Sequence, residues 1–206
     1  LTVGYMLDRG ARAADVITIH SQDYADHSDY LRPYAHKVVA IYPPVEIPRP
    51  APVSAAAWRR ELGLDGYNVV GFAGRFVEEK GFDYLLQAIP LVLAHKPNTK
   101  FVYAGQPAVY ERFYERWQHL IEAHREHLVM LGLITDPQKL ANFYHMCDAF
   151  ALPSRTDCFP SVQIEAMLCG TPIVATHIPG AREVVHVTGM GLHVQPHSPQ
   201  SLAEGL

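Results

Sequence analysis

The segment Ser154-Arg155-Thr156-Asp157-Cys158-Phe159-Pro160-Ser161-Val162-Gln163-Ile164-Glu165 carries two carboxylates, Asp157 and Glu165, across what reads as the mouth of a helix. Pro160 near the start of that helix and Gly170 just past its end fit the usual placement of these residues at helix termini. A first turn presents unpaired N–H groups and a partial positive charge, and anions, phosphates especially, bind there. Carboxylates beside it accept hydrogen bonds from hydroxyl groups. A ligand with both phosphate and hydroxyl groups suits the pair, and a nucleotide-sugar is such a ligand. Acids near a helix start also simply stabilise the helix. That plainer account covers Asp157 easily and Glu165 less well.

A second cluster is Gly74-Arg75-Phe76-Val77-Glu78-Glu79-Lys80-Gly81, directly after an apolar strand-like run. In open α/β sheets ligands bind at the carboxyl ends of strands. Arg75 and Lys80 would emerge on that edge, the Arg as a bidentate phosphate fork and the Lys as a mobile point charge. Together they could neutralise a diphosphate and the charge that grows on it as a sugar leaves. The competing reading is a solvated loop in which Glu78 and Glu79 merely pair with the two bases.

The elements that must hold these groups can be read from periodicity. Short apolar runs alternate with amphipathic stretches, the rhythm of a parallel sheet wrapped by helices. Strands are predicted at 15–20, 37–41, 68–73, 100–104, 128–131, 148–152, 172–175 and 191–194. Helices are predicted at 83–94, with Tyr84, Leu85, Ala88, Ile89 and Val92 on one face, at 109–124 and at 137–147. The run from Tyr42 to Val53 holds five prolines in twelve residues and reads as a stiff extended connector. The residues after that connector make a self-consistent α/β unit. Residues 1–43 supply one strand–helix–strand, too little for a core of their own.

Bulk properties narrow the function classes. Of 206 residues, 49% are hydrophobic and 18% charged, an ordinary globular composition. The formal net charge of -4 argues against a nucleic-acid partner. Three cysteines, Cys147, Cys158 and Cys169, have no metal-ligand spacing, and a reducing compartment is the plain expectation. Twelve histidines offer no four-ligand zinc pattern. The stripe Tyr110, Phe113, Tyr114 and Trp117 reads as core before it reads as a sugar platform. The opening residues do not form a signal peptide, and the chain reads as a fragment of something longer.

Gly-Arg-Phe with Glu-Lys-Gly after one strand, then Leu-Pro-Ser, acid-x7-Glu-Ala-Met, Cys-Gly-Thr-Pro-Ile-Val-Ala-Thr and Pro-Gly with Glu-Val-Val, resembles the retaining GT-B glycosyltransferases, and within them glycosyltransferase family four. The match runs in register over roughly residues 66–205. The resemblance implies a Rossmann-like α/β donor-binding domain over 55–206, an interdomain linker at 44–54, and the last piece of an N-terminal acceptor domain at 1–43. It implies that Arg75 and Lys80 hold the donor diphosphate, that Asp157 contacts the transferred sugar, and that Glu165 binds ribose. Main chain at Phe159, Ser161 and Val162 would touch sugar and phosphate, and main chain at Leu133 and Ile134 the base. The donor would be a UDP- or GDP-hexose, with no metal. The acceptor (carbohydrate, lipid or small molecule) would enter from the N-terminal domain of the same polypeptide. Family members are cytoplasmic, some peripheral at the membrane through that domain.

Two departures from the family pattern stand out. Asp157 replaces the usual Glu, and Pro160 replaces a Gly, so one N–H aimed at the ligand is missing. A GT-B-type sugar-nucleotide epimerase and a non-catalytic nucleotide-sugar-binding module remain the alternatives.

Overall fold

The computed structural model describes residues 2–106 and 113–206. It divides into two compact units, Leu1–Pro44 and Val45–Leu206.

The first unit holds helix α1 (Thr2–Ala13), strand β1 (Ile17–Ile19), short helix α2 (Gln22–Asp26), a 3-10 turn over Arg32–Lys37 and strand β2 (Val38–Ala40), which pairs parallel to β1. Sequence patterning does not reveal α1. Its C-terminal carbonyls are gathered by Lys37, whose Nζ donates to the carbonyls of Arg12 at 2.9 Å and Ala14 at 2.8 Å. A cation at a helix C-terminus is favourable both as a donor and against the dipole.

The second unit opens with α3 (Pro52–Glu61). The proline-rich connector therefore ends slightly earlier than predicted. Pro52 is itself the first helical residue, where its missing N–H costs nothing. Then come β3 (Asn68–Ala73), α4 (Phe82–His95), β4 (Thr99–Ala104), α5 (Phe113–Ala123), β5 (Leu128–Gly132), α6 (Pro137–Met146), β6 (Ala149–Leu152), α7 (Ser161–Leu168), β7 (Ile173–Thr176), α8 (Ala181–Thr188), β8 (Gly191–Val194) and α9 (Pro199–Gly205). The predicted start of α5, and Tyr110 of the aromatic stripe, lie outside the described residues. The rest of that stripe is core: Phe113 is buried, and Phe113 and Tyr114 pack on the fully buried Phe76 with ring centroids 6.0 and 4.9 Å away.

The six strands pair in parallel in the order β5-β4-β3-β6-β7-β8. Successive residues point to opposite faces. Val69, Val102, Phe150, Ile173 and Ala175 thus join one buried cluster, and Val70, Phe72, Phe101, Tyr103 and Val174 join the other. Helices cover both faces of an all-parallel sheet, which is why these strands read as nearly continuous apolar runs. The chain moves outward in one direction from β3 and in the other from β6. The order therefore reverses between these two adjacent strands, a crevice where doubly wound sheets bind ligands.

Candidate functional site

Both charged clusters leave the sheet at that reversal, one after β3 and the other after β6. The loop after β3 begins Gly74-Arg75 and turns through a short 3-10 segment, Glu78–Lys80, into α4. Gly81 closes the turn in a left-handed conformation, φ 65°, and a Cβ there would sit 1.9 Å from the carbonyl oxygen of Pro153. Only glycine lets the two loops come this close. The loop after β6 makes a second tight approach: Asp157 bridges to Gly180, φ 82°, where a Cβ would lie 2.3 Å from the Cys158 carbonyl oxygen.

A cavity of about 260 Å³ opens beside the loop after β3, between the ends of β3 and β4 and helices α6 and α7. Its walls include Arg75, Leu133, Ile134, Tyr144, Val162 and Glu165, with main chain from the ends of β3 and β4. That main chain is tied edge to edge: the Gly74 N–H donates to Ala104 at 3.0 Å, the Phe76 N–H to Gln106 at 3.1 Å and the Gly105 N–H to Gly132 at 2.8 Å. The end of the pocket at Leu133 and Ile134 is therefore apolar and walled by fixed backbone, as small-ligand sites commonly are.

Five predicted residues, Arg75, Leu133, Ile134, Val162 and Glu165, line this cavity; Lys80, Asp157, Phe159 and Ser161 do not. Lys80 and Asp157 instead meet each other, Nζ to Oδ2 at 2.6 Å, with the carboxylate side chain 10% exposed. Arg75 pairs with Glu79 at 2.6 Å, both ends in solvent. The pairing of bases with acids seen in the sequence is thus half realised: Glu79 takes Arg75, but Lys80 crosses to the other loop. Any phosphate that binds must compete with these carboxylates.

Glu165 sits in the second turn of α7, where the Tyr144 hydroxyl donates to its Oε2 at 2.6 Å. Burial, and then the charge of Glu165, push the Tyr144 phenol far above its ordinary value, so it stays a donor at every physiological pH. Periodicity places Tyr144 on an inward face of α6. Nothing in its spacing marks it as the residue that orients Glu165, because the partners come from different helices. Cys169, at the C-cap of α7, is buried and its thiol is pushed up to about 11 by burial and then by Glu165, which makes it a poor nucleophile.

Among the described residues no side chain caps α7. Pro160 is the N-cap, in extended conformation, so the donor it lacks is that of the N-cap position and not one of the helical residues that follow. The departure from glycine therefore leaves the N–H groups of Ser161 and Val162 in place. Among the described residues, no group of three or more His, Cys, Asp or Glu side chains could hold a metal ion. His177, one of the loop histidines, packs its ring against His193 with centroids 5.1 Å apart. No helix among the described residues is long and apolar enough to cross a membrane.

Comparison with known proteins bears on this geometry. The family model described as "Glycosyl transferases group 1" matches residues 54–206. The chain is 32% identical over 194 residues to a D-inositol 3-phosphate glycosyltransferase of Segniliparus rotundus, covering 91% of this chain and 42% of that protein. It is 31% identical over 150 residues to an uncharacterized glycosyltransferase of Methanocaldococcus jannaschii, covering 72% of this chain and 37% of that one. Its fold superposes on the Anabaena protein Alr3699/HepE in complex with UDP and glucose with TM-score 0.84 and 26% identity, over 97% of this chain and 55% of that chain. The chain thus spans less than half the length of these two curated relatives.

Proposed function

This chain belongs to the group 1 glycosyl transferases, and on that premise we propose that residues 55–206 are the donor-binding domain of a retaining GT-B enzyme. The enzyme moves a hexose from a nucleotide-sugar such as a UDP- or GDP-hexose to an acceptor. A linker that ends where α3 begins joins this domain to an acceptor domain of the same polypeptide, of which residues 1–43 are the final piece. The observation that carries the reading is the cavity at the strand-order reversal, with Arg75 and Glu165 in its wall and the uncapped start of α7 nearby. The Anabaena relative, solved with UDP and glucose, supports the choice of ligand class.

In this reading the base lies against main chain at Leu133 and Ile134, and the ribose hydroxyls donate to Glu165. Main chain at Phe159, Ser161 and Val162 meets sugar and phosphate. Arg75 exchanges Glu79 for the diphosphate. This exchange is cheap, because an exposed ion pair contributes about 1 kcal/mol or less. Lys80, turning from Asp157, adds the second positive charge. Asp157 then accepts from a hydroxyl of the hexose. As the bond between the anomeric carbon and the diphosphate oxygen breaks, negative charge grows on the leaving nucleoside diphosphate. Arg75 and Lys80 stabilise that charge more than they stabilise the intact donor, which is the condition for acceleration. The acceptor oxygen attaches on the face the diphosphate leaves, its proton passing to the departing diphosphate oxygen, so configuration is retained.

Calorimetric titration with UDP, GDP and ADP tests this. The 206-residue chain is expected to bind one nucleoside diphosphate weakly and to transfer no sugar alone, since the acceptor wall of the cleft belongs to the other domain. Binding of none of the three would sink the donor reading. Glu165→Gln keeps the shape and the Tyr144 hydrogen bond but removes the charge. It is expected to weaken the preferred nucleotide about tenfold, because a neutral acceptor makes weaker hydrogen bonds to hydroxyl groups. The 2′-deoxy nucleotide is expected to lose little further on that background.

A further inference from the structure

We propose that Arg155 is a positioning residue that sets the distance between Lys80 and Asp157; the inference rests on the donor-site reading of those two groups. Arg155 lies two residues before Asp157. Its guanidinium grips the Asp83 carboxylate at both ends, Nη1 to Oδ1 at 2.7 Å and Nη2 to Oδ2 at 2.6 Å. Nη1 also donates to the carbonyl of Glu78, and the Arg155 main-chain N–H donates to the Glu79 carbonyl at 2.8 Å. The guanidinium carbon rests 3.9 Å from the centroid of the Tyr84 ring.

Glu78 and Glu79 precede Lys80, and Asp83 and Tyr84 come after it. One residue of the Asp157 loop therefore holds the chain on both sides of Lys80. The grip is stiff for two reasons. A bidentate fork fixes both distance and orientation, whereas a single contact leaves the ring of possible angles open. The pair is also buried, with the Asp83 side chain 2% and the Arg155 side chain 18% exposed, so solvent screens it little. Tyr84 is in turn held by His197, whose Nδ1 lies 2.8 Å from the tyrosine hydroxyl. The consequence is the 2.6 Å separation of Lys80 and Asp157, and with it the spacing between the group that meets the diphosphate and the group that meets the sugar. Lysine at 155 keeps the charge but has neither the fork nor the flat face for stacking.

A brace that merely stabilised the fold would lower the melting temperature without singling out Lys80. The discriminating experiment uses the 206-residue chain and Arg155→Lys, labels lysines with an acylating reagent well below melting, and reads each site by peptide mass spectrometry. Lys80 is expected to react about threefold faster in the variant, the equivalent of losing a partly exposed ion pair, while Lys139 is unchanged. An unchanged Lys80 overturns the proposal. Tyr84→Leu, which removes the aromatic support and the hydroxyl's contact with His197 but leaves the Arg155–Asp83 fork, gives the same comparison with a smaller rise if Arg155→Lys does not fold.

A second arm titrates UDP by calorimetry. Arg155→Lys is expected to cost about tenfold in affinity in the wild-type background but less than about twofold in a Lys80→Ala background, since coupled residues are non-additive. Equal losses in both backgrounds overturn the proposal. Wild type that fails to bind UDP removes the donor reading instead, and the labelling arm still decides the role of Arg155.

Discussion

Replacing Arg75 by alanine is expected to lower UDP affinity about a hundredfold, because a truncated charge-assisted contact to an anion in a cleft costs a few kcal/mol. The melting temperature should move by less than about 2 °C. These two outcomes separate because of where the residue sits. Its side chain is 63% exposed and its partner in the fold, Glu79, is 43% exposed, so the pair adds little to stability. The same guanidinium lines the cavity at the reversal of strand order, where its fork would meet a phosphate. Arg75→Lys should fall between, about tenfold weaker than wild type, since one point charge replaces two parallel donors. Calorimetry and a thermal melt on the same samples decide the matter. Wild-type affinity in Arg75→Ala would remove this residue from the donor site.

Gly81→Ala is expected to be the most damaging single methyl in the domain. The added Cβ would lie 1.9 Å from the Pro153 carbonyl oxygen and 2.7 Å from its carbon, and the φ of 65° is itself strained for any residue with a side chain. The obstacle is backbone, so no rotamer change relieves it. A loss of about 4 kcal/mol or more is expected, against a typical total of about 5–15 kcal/mol. For a chain of this size that is a fall of about 10 °C or more in melting temperature. Binding should fail with it, since the same approach of loops brings Lys80 to Asp157 and Arg155 to Asp83. By contrast Gly63→Ala, at a φ of 67° but with nothing within 4 Å of its Cβ, is expected to cost about 1 kcal/mol. A melt of Gly81→Ala no lower than that of Gly63→Ala would show that the loops give way more readily than their geometry implies.

Local chemistry explains which parts of this protein are legible without coordinates. Strand 68–73 falls where its apolar run and bounding turns put it, because a strand buried on both faces has no choice but an apolar run. The helix behind the two acids begins after Pro160 because proline supplies a fixed φ and lacks the N–H that a helix start does not use. Helix α1 escapes such a reading because its apolar residues, Val3, Tyr5, Met6 and Leu7, lie exposed and give no inward stripe.

The candidate site divides along the same line. Residue type and position after a strand are enough to single out Arg75, Lys80, Asp157 and Glu165, since charged groups following apolar strands emerge at the carboxyl edge of a parallel sheet. Their partners are not legible. Tyr144 to Glu165 spans 21 residues and Arg155 to Asp83 spans 72, and no local period connects such pairs. An α/β chain with basic and acidic side chains at strand ends is therefore legible in the residues alone, because those choices are made within a few residues of backbone. Strand order, the crevice between β3 and β6, and the exchange of partners that leaves Lys80 on Asp157 and Arg75 on Glu79 were decided only by the tertiary structure. They depend on which distant loops the packed sheet carries to the same edge, and on glycines small enough to let them touch.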